Sequence, residues 1–124
     1  MMAEASLPER FADVGELDEY LSRPSAEVIA AMRALSGDIM ALGVGGKMGP
    51  SLAALARRAS DAAGVNRRVI GVSRFSSAQA AAELNRAGVE TIACDLLDEN
   101  ALHALPDVPN IVYMAGMKFG ATGN

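Results

Sequence analysis

Apolar positions along the chain follow two rhythms, and the changes from one to the other mark out the elements. In Phe11-Ala12-Asp13-Val14-Gly15-Glu16-Leu17-Asp18-Glu19-Tyr20-Leu21, three apolar residues, Leu17, Tyr20 and Leu21, stand at i, i+3 and i+4 among acidic neighbours. That spacing predicts a short amphipathic helix. Pro24 and Ser25 open a second helix, with Val28, Ile29, Met32 and Leu35 on one face and Gly37 beyond its end. The rhythm then changes. An apolar run of strand length around Ile39 and Leu42 leads directly into Gly43-Val44-Gly45-Gly46-Lys47-Met48-Gly49-Pro50, and an alanine- and leucine-rich helical pattern runs from Ser51 to Ala63, where Gly64 is suited to end it.

The same alternation continues downstream. Arg68-Val69-Ile70-Gly71-Val72-Ser73 has too few polar positions for a half-exposed strand and predicts one buried on both faces. Ser76 or Ser77 caps a helix through Ala87, which Gly88 ends; Val89 to Ala93 is a third strand. Asp98 caps a short helix from Glu99 to Ala104, stopped by Pro106, and Asn110 to Met114 is a fourth strand that Ala115-Gly116 leaves. On the first crossover helix, Leu52, Leu55 and Ala56 are expected to face the sheet and Arg57, Arg58 and Asp61 to face water.

Strands alternating with helices, joined by right-handed crossovers, predict an all-parallel sheet in the order 3-2-1-4. The fold class is therefore α/β, a three-layer Rossmann-type half over residues 37–124, preceded by a helical arm over residues 1–36. The apolar face of that arm must cover the sheet or a second subunit.

Composition narrows the classes of function. The 124 residues are 51% hydrophobic and 4% aromatic with a net charge of -4, and Lys and Arg are scattered, so no basic stripe exists to replace the counterions of a nucleic acid. No apolar run approaches the roughly 20 residues of a membrane span, and no signal peptide is apparent, so a cytoplasmic location without membrane partners is expected. Cys94 is the only cysteine, which excludes an internal disulfide; it reads as a small buried residue at a strand end. The lone His103 reads as a surface residue and makes no metal site.

The glycine cluster carries the chemistry. Gly43 turns the chain out of the strand, Gly46 lets backbone approach a pyrophosphate, and Gly49 brings helix and strand together. The anion would rest on the unpaired N–H groups of the helix's first turn, where Pro50 loses nothing by having none. Gly45 also permits a G-x-G-x-x-G reading, but its third glycine would fall on Met48.

The spacing Gly43-x-x-Gly46-x-x-Gly49 resembles the fingerprint of short-chain dehydrogenases/reductases, in particular their extended epimerase/dehydratase branch, and the resemblance spans Asp38 to Asn124. It implies cofactor contacts from Gly43, Gly45, Gly46, Lys47, Met48 and Gly49 on the loop and from Ser73 and Arg74 after the second strand. In such proteins an aspartate at the place of Asp95 bonds the adenine amino group while the next residue, here Leu96, offers its backbone N–H; Asp95 also reads as a loop or helix-capping carboxylate. Tyr113-Met114-Ala115-Gly116 resembles the segment beside the nicotinamide ribose, with cofactor contacts implied for Met114, Ala115 and Gly116. The cofactor is expected to be NADP or NAD. NADP is favoured, because the second strand ends Val72-Ser73-Arg74-Phe75 with an arginine and no carboxylate.

The family's catalytic Tyr-x-x-x-Lys is absent: Tyr20 is followed four residues on by Pro24 and Tyr113 by Met117, while Lys118 has Met114 four residues before it. No catalytic residue is therefore assigned. The chain reads as the cofactor half of a protein whose substrate half lies elsewhere, with a small hydroxyl or ketone substrate such as a nucleotide sugar, and with self-association through the fourth strand. The alternatives are a non-catalytic dinucleotide sensor of redox state and an assembly module without cofactor.

Overall fold

A computed structural model of the chain describes residues 9–46 and 48–114. Nine elements follow in order: α1 (Val14–Leu21), α2 (Ala26–Ala34), β1 (Ile39–Leu42), α3 (Gly49–Ala62), β2 (Val69–Ser73), α4 (Ala78–Arg86), β3 (Glu90–Ala93), α5 (Glu99–His103) and β4 (Asn110–Tyr113). The four strands form one all-parallel sheet in the order β3-β2-β1-β4, as the alternating pattern predicts.

Helix starts follow local side-chain chemistry. Asp13, Ser25, Ser77 and Asp98 each have extended backbone and accept an N–H from the turn they open. The α3 helix differs: Met48 precedes it with no side-chain cap, and Pro50 lies in its first turn. Gly64 and Gly88, with φ of 72° and 89°, terminate α3 and α4 in the left-handed region that a side chain resists.

Alternation along the central strands divides the core into two layers. Ala41 and Val69 join Val44, Ala53, Leu84 and Val89 under α3 and α4, whereas Met40, Ile70 and Val72 join Cys94 on the opposite face, where Leu96, Ala101, Leu105 and Val108 pack from α5 and its flanks. The side chains toward the sheet from α3 are small, with Ala53 buried and Ala56 packed beside it. Leu52 and Leu55, expected against the sheet, line a groove that they share with Ile39, Ala41 and Ile111 of the strands and with Val28 and Met32 of α2. The groove thus lies between α2, α3 and the β1/β4 side of the sheet, and the alanines of α3 sit against the core.

The arm is held by arginines that the sequence pattern assigns to solvent or to no role. Arg58 donates to Glu19 O, to Ser22 Oγ at 3.0 Å and to Glu19 Oε2 at 3.0 Å. Arg67 is 5% exposed and donates through Nη2 to the carbonyls of Met32 and Leu35, both at 2.7 Å, satisfying the C-terminal end of α2. Arg57 in turn donates to Arg67 O at 2.7 Å and pairs with Asp61 at 2.8 Å. Of the three residues expected to face water, Asp61 does so and Arg58 is partly exposed as it reaches α1, while Arg57 is largely covered, bonded to Arg67 O and to Asp61 of its own helix.

Two carboxyl groups are held below their ordinary range by such pairs. Hydrogen bonds from Arg23 first and Arg58 next act on Glu19, and the forked hydrogen bond from Arg68 acts on Glu90. At the far edge, Asn110 donates to the carbonyls of Ser36 at 2.7 Å and Asp38 at 3.1 Å, fixing where β4 begins against β1.

Candidate functional site

All four strands end at the same edge of the sheet, and the segments that leave them enclose a cleft of about 620 Å³. Its lining comes from Gly43, Gly45 and Gly46 after β1, Ser73 and Arg74 after β2, Cys94 to Leu97 after β3, and Tyr113 and Met114 at the end of β4. A crevice beyond the carboxyl ends of parallel strands, where strand order reverses between β1 and β4, is the ligand position of open α/β sheets.

The glycine loop is built around Val44. Gly43 and Val44 both donate to Val72 O, at 2.8 and 3.0 Å, so the loop's first turn is tied to β2. Gly43 has φ of 85°, a conformation that requires glycine for the turn. Val44 is fully buried and packs into the core below. A Cβ on Gly49 would lie 2.0 Å from Val44 O, and one on Gly45 would lie 2.5 Å from Ser73 Oγ. Gly46 is different. Among the described residues a Cβ there would meet only Gly43 O at 3.9 Å, and its φ lies outside the left-handed region, so within them neither packing nor backbone conformation calls for glycine.

The β2 exit is shaped by a second local constraint. Phe75 has φ of 50°, unusual for a bulky residue, and its ring packs against the α3/α4 side of the core. Its N–H donates to Ser73 Oγ at 3.2 Å. Among the described residues the Ser73 hydroxyl proton has no acceptor. Arg74, between them, is exposed on the cleft and has no ion-pair partner among the described residues.

After β3, Asp95 Oδ1 accepts the Leu97 N–H at 3.0 Å and Asp95 O accepts the Asp98 N–H at 2.9 Å. The loop-capping reading of Asp95 is thus realised through Oδ1. Leu96 is half-buried against the α5-side core, and Cys94 is buried at 6% exposure, as expected of a small residue at a strand end.

Of the residues singled out from sequence, Gly43, Gly45, Gly46, Ser73, Arg74, Asp95, Leu96 and Met114 come together in the one cleft. Gly49 is buried behind the loop against Val44, and Met48 is 73% exposed outside the lining. Lys47, Ala115 and Gly116 lie outside the described residues. Tyr113, which begins the segment likened to the nicotinamide-ribose strand, also lines the cleft, as do Cys94 and Leu97, which had not been named for the site. Leu97 is 94% exposed, and its position two residues after Asp95 was the available signal. The described residues contain no group of three or more His, Cys, Asp or Glu arranged to hold a metal, and no helix among them is long and apolar enough to cross a membrane. Comparison with protein-family models, curated proteins and solved structures finds no match to this chain.

Proposed function

We propose that this chain binds a dinucleotide, NADP in preference to NAD, as the cofactor-holding part of an epimerase/dehydratase-type short-chain dehydrogenase/reductase. The observation that carries the reading is Gly46. It is the loop glycine for which the described residues give no structural reason, and it lines the cleft. A pyrophosphate approaching the backbone there meets the uncapped first turn of α3, whose free N–H groups and dipole favour an anion.

Within this reading each residue has a definite task. Gly43 and Gly45 keep the loop close to β2, Ser73 donates its hydroxyl proton to the adenosine ribose or its phosphate, and Arg74 forms a forked pair with the 2′-phosphate. Asp95 keeps its loop through Oδ1 and offers Oδ2 to the adenine amino group. The nicotinamide, when bound, supplies hydride exchange with a hydroxyl or ketone substrate. Neither tyrosine has a lysine four residues later, so these residues hold and orient the cofactor without moving a substrate proton. That absence favours binding without turnover by this chain alone, which is also how a redox sensor would work.

Calorimetry with both nucleotides tests the reading. Arg74→Ala is expected to weaken NADP by about 1.5–3 kcal/mol, the scale of a hydrogen bond to a charged group, and to leave NAD nearly unchanged. Equal losses for both nucleotides would make Arg74 a stacking residue. Absence of heat with either nucleotide on the unaltered chain would remove the dinucleotide reading.

The β4 edge supports a second proposal, self-association through strand pairing. Ile111, Val112 and Tyr113 are 55%, 39% and 69% exposed on a strand whose outer side has no neighbour in the described sheet. Uncharged edges of this kind pair with other strands unless they are covered. Sedimentation is expected to give a mass that rises with concentration and returns to that of a monomer in Ile111→Lys. A monomer at every concentration would exclude the pairing.

A further inference from the structure

Val44 connects the candidate anion loop to the interior of β2. It is fully buried, its N–H is bonded to Val72 O at 3.0 Å, and its carbonyl lies where a Cβ on Gly49 would have to be. On its other side is Gly71, in the middle of β2 and paired with Ala41 and Thr91. A Cβ on Gly71 would stand 2.9 Å from Val44 Cγ1, 3.2 Å from Cγ2 and 3.4 Å from Cβ. Glycine weakens a strand interior, and Gly71 has no left-handed φ to justify it. What its absent side chain provides is the seat for Val44.

We propose that Gly71 is a positioning residue for the anion loop, acting through Val44 to set the place of Gly45, Gly46 and the α3 N-terminus; this rests on the dinucleotide reading above. The contact cannot be relieved by rotating Val44. A valine has three staggered positions about χ1 and two methyls, and both positions near Gly71 are filled, so every rotamer leaves at least one methyl there. Nor can the side chain retreat into free volume, since Val44 is wholly enclosed. The remaining movement is of the Val44 backbone, away from β2 and against Gly49, which carries the loop and the first turn of α3 with it. A loop displaced by a fraction of an ångström presents its N–H groups to the wrong place, and misplacement on the scale of 1 Å is known to cost about a hundredfold in other sites.

The test pairs Gly71→Ala with the double variant Gly71→Ala/Val44→Ala, in which the two methyls in conflict are gone and the residual Cβ contact is the ordinary 3.4 Å. Loop geometry is read without ligand from the backbone amide resonances of Gly43, Gly45, Gly46 and Gly49, and affinity is read by titration with NADP. Gly71→Ala is expected to shift those resonances and to weaken NADP about tenfold or more, with both effects largely reversed in the double variant. Ile70→Val, beside it on β2 but facing the opposite core layer, is expected to change affinity less than about twofold. Unmoved loop resonances in Gly71→Ala, or a double variant as displaced as the single, would overturn the proposal. Should Gly71→Ala fail to fold, the double variant decides: native loop resonances support the Val44 contact, and displaced or absent ones refute it. If the unaltered chain ignores NADP, the dinucleotide reading fails while the ligand-free resonances still decide whether Gly71 sets the loop.

Discussion

Gly49→Ala is expected to lower the melting temperature by about 12 °C, while Gly46→Val leaves it within about 2 °C and abolishes measurable NADP binding. The two glycines stand three residues apart in one loop and differ in what faces them. At Gly49 a Cβ would be 2.0 Å from Val44 O, 2.5 Å from Val44 C and 2.7 Å from Val44 Cα, and backbone has no rotamer by which to yield. Relief requires α3 to shift from the loop or Val44 to leave its buried seat, a strain of about 3 kcal/mol or more, with about 4 °C lost per kcal/mol in a domain of this size. At Gly46 the nearest atom among the described residues is 3.9 Å away, so they accommodate valine, which fills the space assigned to the pyrophosphate. Thermal melts and titrations of both variants check the contrast. A stable Gly49→Ala would mean that the loop and helix are not tightly coupled, and undiminished binding by Gly46→Val would take the loop out of the site.

A loss of similar size is expected at Arg67. Arg67→Leu removes the donor from the carbonyls of Met32 and Leu35, leaving two acceptors at the end of α2 facing an apolar side chain, and should cost about 3 kcal/mol. Lysine should recover only part of this, because a single ammonium on a flexible stem does not reproduce the placement of a planar guanidinium. Arg67 Nε has no partner among the described residues, so the side chain is not satisfied in full and the loss is smaller than for a fully bonded buried charge. Denaturant unfolding gives the magnitude, and hydrogen exchange gives the location. Amides of α2 should exchange faster than those of β1 and β2 in the variant; a uniform increase across the domain would mean that Arg67 supports the sheet rather than the arm.

The sheet was legible because its signals are local and repeated. Ser25, Ser77 and Asp98 announce helices, Gly64 and Gly88 end them, and the apolar runs between have strand length, so element order and the 3-2-1-4 arrangement follow from crossover handedness. Eight of the thirteen residues named for the site share one cleft because strand ends are the easiest positions to locate in such a pattern. What escaped was set by contacts between segments distant in sequence. Arg58 reaches Glu19 across 39 positions and Arg67 reaches Met32 across 35, and no pattern within one helix distinguishes such arginines from solvated ones. The same is true of Gly71, whose reason is a valine in another loop, and of Phe75, whose left-handed φ gives no sign in a sequence that elsewhere uses glycine for that conformation.

The reach of Arg67 back to α2 also imposes an order on synthesis. The carbonyls it bonds belong to residues made 32 and 35 positions earlier. At about 5–20 residues per second, the ribosome needs some seconds to add that stretch, so the arm emerges from the exit tunnel before its clasp does. Until β1 and α3, which are made within that interval, have themselves emerged, Val28 and Met32 lack the residues with which they share a groove, so the nascent arm presents an apolar stripe to whatever is nearby. A chaperone that reads short apolar segments would find its target there, and would be displaced when β2 arrives with the arginine at its threshold.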